Sequence, residues 1–276
     1  MIGRIGRLTA AEFLKLVSQP FLYFAFAALT FVTIFFAIVL PYLGGQKETV
    51  WRHFHSVLIF AYGFRYGIYV ATYILLIFSS MTFAGEFDRG TIKNLLTRPI
   101  TRLEFFIAKC LTIMGLATIL FGFVFFVAAI YGLSRGDLGP VWDDSQYLIQ
   151  RSGEEILAHA RKAVLMSIAA FLAAGFLGIL VSNLTESSGY SVAIALVTFL
   201  VSDLATGMLL DPGKEKLFMY YPTYAIDKLM EFGGGGTTRW APHIDEQMLY
   251  LTVPSLYLAI FVPLAYSIFR SRNITA

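Results

Sequence analysis

Charge is scarce in this sequence. Asp, Glu, Lys and Arg make up 14% of its 276 residues, and the formal net charge is +3. Soluble domains carry roughly 25% charged residues, so an ordinary soluble enzyme and a charge-rich disordered chain are both excluded. The small positive balance is too weak for a nucleic-acid footprint, and no nucleic-acid partner is expected. Cysteine is nearly missing. The single Cys110 lies in an apolar run and allows no intrachain disulfide, which excludes a disulfide scaffold. Histidine is rare too, with four in the chain. His53 and His55, in WRHFHS, lack acidic or cysteine neighbours and make a poor metal site. A phosphate loop of the form G-x-x-x-x-G-K-[ST] is absent. The Gly213-Lys214 pair follows Pro212 and lacks both the upstream glycine and the Ser/Thr.

Apolar residues are what the chain has in abundance. They reach 57%, with 26 Phe and an aromatic content of 16%. A bilayer core is crossed by about 20 mostly apolar residues per helix. Charge-free runs of that length recur at 21–43, 66–85, 111–134, 163–185, 187–210 and 249–269. The second run has apolar Val57–Phe64 ahead of it, separated by Arg65, and the third span is expected to begin near Phe106. Asp203 interrupts the fifth, while Pro254 and Pro263 lie in the sixth, where a membrane helix tolerates them. The expected fold class is therefore an all-α integral membrane protein with six transmembrane helices. The first run is too long for a cleaved signal and no small-x-small site follows it, so it is expected to remain as an anchor.

The pieces outside the spans divide the chain further. Residues 1–20 read as an amphipathic helix for the membrane interface, and 21–276 as one membrane domain. Ile5, Leu8, Phe13, Leu16 and Val17 share its apolar face; Arg4, Arg7, Glu12 and Lys15 lie mostly elsewhere. One outer segment, 134–162, opens on turn residues and becomes helical from Glu154, with Ser152 and Glu155 spaced as a capping box. A second, 211–248, carries YYPTYAIDKLMEF and the Gly233–Gly236 run, and reads as a partly embedded or surface-lying element. Ten of the 21 basic residues fall on one side and eleven on the other, so the raw count sets no orientation. The dense cluster at 89–102 does, and it places itself and both termini in the cytoplasm.

The segment GEFDRGTIKNLLTRPITRLEFFIAK carries the most information. The chain leaves the membrane at Gly85 and turns at Gly90. Residues 91–97 are expected to form a short helix with Ile92, Leu95 and Leu96 on one side. Pro99 ends that helix, because the residue before proline disfavours helical dihedrals. A short amphipathic helix on the membrane surface suits docking in a groove of a soluble partner.

These residues resemble a segment of the permease subunits of type-2 ATP-binding-cassette (ABC-2 type) transporters. The pattern E-x-x-x-G-T-x-x-x-L-L-x-x-P-x-x-R is met by Glu86, Gly90, Thr91, Leu95, Leu96, Pro99 and Arg102. AAEFLKLVSQPFLY looks like the elbow helix of that family, and YYPTYAIDKL more loosely resembles a later segment. The resemblance implies an exporter permease with no catalytic activity and no cofactor of its own. ATP and Mg would be held by two copies of a cytoplasmic ATPase, and a second permease copy, identical or not, would complete the transporter. Segment 85–105 would be the coupling segment, with Asp88 and Arg89 beside the motif residues. Glu86 and Asp88 would anchor the end of the second span against Arg89 or an elbow-helix cation such as Lys15. The implied location is a bacterial or archaeal cell (inner) membrane, in contact with its lipid.

Two further residues are translocation candidates. Asp203 is an acid within a span, which makes it a functional candidate by default; it could bind a cation or proton or pair with Arg65, and the plainer reading is a structural hydrogen bond or ion pair near the outer mouth. Arg65 is expected to snorkel to the outer interface. Two alternatives remain open. A permease of this type can pass ATP-driven motion to an extracytoplasmic partner in maturation or motility machinery, which the long outer segments would suit. An intramembrane protease is suggested by Glu154, Glu155 and Arg161, but the spacing is wrong and the histidines lie outside the spans.

Overall fold

The computed structural model describes residues 2–43, 56–91, 100–139, 141–143, 148–208, 222–223, 225–227 and 244–272. Helix α1 covers Ile2–Val17, α2 Pro20–Leu43, α3 Ser56–Asp88 and α4 Arg102–Arg135. A small hairpin follows, β1 (Val141–Asp143) and β2 (Leu148–Arg151), then α5 (Gly153–Leu184), α6 (Ser188–Met208) and α7 (Ile244–Ser271). Helices α2, α3, α4, α5 and α7 are long and apolar enough to cross a membrane. In α6 the apolar stretch Ser188–Leu204 is shorter. The region expected as a fifth span is thus helical, but five helices, not six, have full spanning length among the described residues.

Helix α3 is the centre of the bundle, with α2, α4, α5 and α6 packed around it. It is apolar around most of its circumference, as a buried helix must be. Arg65 does not break it: the expected span and the apolar piece ahead of it form one 33-residue helix. Its neighbours approach closely at small residues, the usual device of membrane helix packing. A Cβ on Gly178 of α5 would lie 1.9 Å from the Ser79 hydroxyl, and one on Gly67 would lie 2.4 Å from that of Thr33 in α2. Serines also join the helices. Ser182 of α5 accepts from the Phe83 and Ala84 amides at 2.9 Å each. Ser191 of α6 donates to the Ser80 carbonyl at 2.7 Å.

The helix ends follow local chemistry. Ser152 and Glu155 form the expected capping box at the start of α5. A second box, Thr101 with Glu104, starts α4 four residues ahead of its expected beginning at Phe106. Helix α7 runs through both Pro254 and Pro263. The hairpin was not expected; it pairs Trp142 with Ile149 and Asp143 with Leu148 in antiparallel register.

Large apolar side chains remain outside the bundle, among them Phe24 and Phe31 on α2, Phe126 and Ile130 on α4 and Tyr190 and Val197 on α6. In water such a surface is an aggregation liability. In a bilayer it is the lipid-facing surface of a multi-pass membrane protein, and the helices satisfy their own backbone groups.

Candidate functional site

The end of the bundle where α3 stops and α4 starts carries a layer of charge. Above it sits a layer of aromatics: Phe83 of α3, Phe105 and Phe106 of α4 and Phe269 of α7 are all buried. The Phe83 and Phe269 rings lie 5.1 Å apart and the Phe83 and Phe106 rings 5.7 Å apart. Beyond these rings α3 meets the N-terminal helix. The apolar face of α1 rests on α4, where the Phe13 ring lies beside Gly115.

Glu86, in the last turn of α3, is 3% exposed. Its carboxylate pairs with Lys15 of α1 and with Lys109 of α4 at 3.1 Å. Lys109 is itself buried and pairs also with Glu12 of α1. The result is an alternating row, Lys15–Glu86–Lys109–Glu12, with no net charge and three helices joined. Taking ions out of water is costly, and alternation is what makes it tolerable. A cavity of about 70 Å³ opens beside the row, with the exposed Arg89 on its wall.

The same carboxylate reaches the segment that leaves the membrane. The Thr91 hydroxyl donates to Glu86, so the first turn after α3 is tied to the row. Between them Gly90 has φ +64°, a left-handed conformation that L side chains avoid, and its amide closes on the Phe87 carbonyl at 3.0 Å. Asp88 accepts from the Ser188 hydroxyl at 2.6 Å, which links α3 to the start of α6. Arg102 donates to the carbonyls of Arg270, in the last turn of α7, and of Arg272, just beyond it, at 2.7 and 3.0 Å. Arg272 in turn donates to the Asn183 and Thr185 carbonyls that end α5, at 3.1 Å each. Each cation satisfies carbonyls that a helix terminus leaves open.

Of the expected coupling residues, Glu86, Asp88, Arg89, Gly90, Thr91 and Arg102 therefore gather at this base. Leu95, Leu96 and Pro99 lie outside the described residues, as do His53 and His55. The contribution of Glu12 and Lys109 was not foreseen. The signal for it was Lys109 itself, a cation set in an otherwise apolar stretch.

At the opposite half of α3 the two translocation candidates are not paired with each other, contrary to one expectation. Arg65 holds Asp227 through two nitrogens, the Nη2–Oδ2 contact being 3.2 Å. Its guanidinium also lies 4.8 Å from the centre of the Tyr66 ring. Asp203 instead accepts from the Tyr69 hydroxyl at 2.7 Å, and Tyr69 lies 3.0 Å from the Tyr73 hydroxyl. Arg65, Tyr69 and Tyr73 are four residues apart, so they line one stripe of α3. The stripe meets α6 at Asp203 and the short turn 225–227, whose Ala225 and Ile226 are buried. Part of the second outer segment is thus packed into the bundle. Of the protease-like residues, Glu155 serves the α5 cap, and the nearby His159 Nδ1 contacts the Glu155 carbonyl at 2.7 Å. Among the described residues no cluster of three or more His, Cys, Asp or Glu is arranged to hold a metal.

Likeness to known proteins covers about two thirds of the chain or more. Residues 8–202 match the family described as "ABC-2 family transporter protein". A relative from Bacillus subtilis (strain 168), described as "Uncharacterized protein YhcI", is 23% identical over 197 residues. That alignment takes in 69% of this chain and 60% of the relative's length.

Proposed function

The chain belongs to the ABC-2 transporter family, a family of multi-pass membrane transport components, and from that membership we propose a specific role for it. It is the six-span permease subunit of an exporter driven by ATP that a separate cytoplasmic subunit binds and hydrolyses. Two such ATPase subunits, with their ATP and Mg, work with two permeases. Helix α6 is the remaining span, and α1 is the elbow helix at the cytoplasmic interface. Both termini and the Glu86 row face the cytoplasm of a bacterial or archaeal cell.

One observation supports this reading above the others: Glu86 touches α1, α4 and Thr91 at once. A helix at 91–97 seated in an ATPase groove would push on Thr91. The push would reach α3 through Gly90 and Glu86, and α1 and α4 through the two lysines. Packed helices respond to such a load as rigid bodies. Asp203, with Tyr69 and Tyr73, is the proposed contact for cargo, and the Arg65–Asp227 pair holds the outer segment against the spans.

The test is purification of the tagged chain from its native membrane in mild detergent, followed by mass spectrometry. A soluble ATPase with a phosphate loop is expected in stoichiometric amount. It should be lost in Leu95→Asp/Leu96→Asp, with membrane insertion unchanged. A chain that emerges without an ATPase, even after crosslinking residues 86–102, overturns the reading. A second reading, transmission of motion to an extracytoplasmic protein, is favoured by the β1–β2 hairpin, since a two-stranded ladder leaves an edge available for pairing. A partner crosslinked to 141–151 in place of a transported cargo would select it.

A further inference from the structure

At the end of the bundle away from the Glu86 row, an apolar cavity of about 440 Å³ opens between three helices. Its walls are the first turns of α3 at Val57 and Phe60, the last turns of α4 at Ala129 and Leu133, and α5 from Leu157 to Leu165. Leu133 and Leu165 stand on its rim and are more than 60% exposed. An empty cavity of this kind forfeits the dispersion contacts of every atom that lines it, and an apolar lining gives water nothing to bond. In a bilayer, hydrocarbon chains are the material at hand to fill it.

One charged residue stands at its edge. Arg161 is exposed, lines the cavity and makes no ion pair among the described residues. A guanidinium at the rim of a hydrocarbon slot is matched by a phosphate, which it can hold with two parallel hydrogen bonds. The stretch Leu157–Leu165 is about 12 Å long at ~1.5 Å per residue, room for part of one extended chain.

We propose that this cavity binds a single anionic phospholipid of the surrounding bilayer. One acyl chain lies between α3, α4 and α5, and the phosphate rests on Arg161. The occupant holds together helix ends that the protein itself packs loosely at this point.

Native mass spectrometry of the full chain, titrated with phosphatidylglycerol and with phosphatidylcholine of the same acyl composition, tests the proposal. One phosphatidylglycerol per chain should be retained, with about tenfold preference over phosphatidylcholine, because both lipids carry a phosphate but the choline cation of the second is repelled by Arg161. Arg161→Gln should abolish the preference, whereas Arg135→Gln, outside the cavity, should keep it. Ala129→Phe should lose both lipids, and Leu165→Trp at the exposed rim provides a second filling variant should the first fail to fold. Equal retention of the two lipids by the wild type and every variant would overturn the proposal in favour of ordinary boundary lipid. A disulfide-linked dimer of Leu165→Cys in membranes would overturn it as well, by showing a second copy on this face.

Discussion

Glu86 and Lys109 illustrate how a membrane-edge ion row depends on each of its members. Both are buried, and removing one leaves the other a single ionic partner: Lys109 keeps Glu12, and Glu86 keeps Lys15. Glu86→Ala takes a partner from two lysines at once and is expected to destabilise the protein by up to about 3–5 kcal/mol, the range for breaking a buried pair. Lys15 is 44% exposed, and Lys15→Ala should cost at most about 1 kcal/mol. Thermal unfolding in detergent separates the two, and equal losses would refute the ranking. Gly90 is a different case. Nothing lies within 4 Å of where its Cβ would be, so the restriction is its positive φ alone. Gly90→Val should cost about 1–2 kcal/mol locally and uncouple ATP hydrolysis from transport, while Gly90→Asn should retain most coupling. Normal transport by Gly90→Val would make this turn an ordinary loop.

At the scale of elements, stability rests on close helix crossings more than on polar contacts at the surface. The α3–α5 crossing admits no side chain at Gly178, whereas Gly122 on α4 has open space around its Cβ position. Gly178→Leu is therefore expected to lower the unfolding temperature markedly, through an overpacking cost of about 1–3 kcal/mol or more. Gly122→Ala should leave it unchanged or raised, since alanine is the better helix former. Comparable effects of the two would contradict the packing described. The Arg65–Asp227 pair joins positions 162 residues apart. A double-mutant cycle on it should show coupling of about 0.5–3 kcal/mol, the range for residues in direct contact. Strict additivity would mean that the outer turn is held by Ala225 and Ile226 alone.

For the whole molecule, the polar stripe on α3 and the ion row lie in opposite halves of one continuous helix. A displacement of the end that bears the ion row would therefore be carried towards Tyr69 and Asp203 without a hinge. Asp203→Asn keeps the shape and the acceptor for Tyr69 but removes the charge. It is expected to change transport of cargo by about tenfold, the scale of one charge-assisted contact, and to leave assembly and membrane expression intact. Loss of expression would assign Asp203 a structural role instead.

Much of this architecture was determined by the sequence alone, because it follows from properties read along the chain. Charge-free runs set where helices meet lipid, Ser152 with Glu155 set a helix start, and Gly90 set the turn. The Thr101–Glu104 box was equally local and equally legible, since its spacing is that of the box at Ser152. Other features had no local signal. The strands of the hairpin are three and four residues long, too short for alternation to register. Arg65 read as an interruption of a span because its partner, Asp227, stands in a distant segment. Lys109 read as one more basic residue until folding brought Glu12 and Glu86 around it. Only tertiary structure decides such pairings. The cost of burying a charge depends on what the rest of the chain places beside it, and periodicity along a helix contains no information about that.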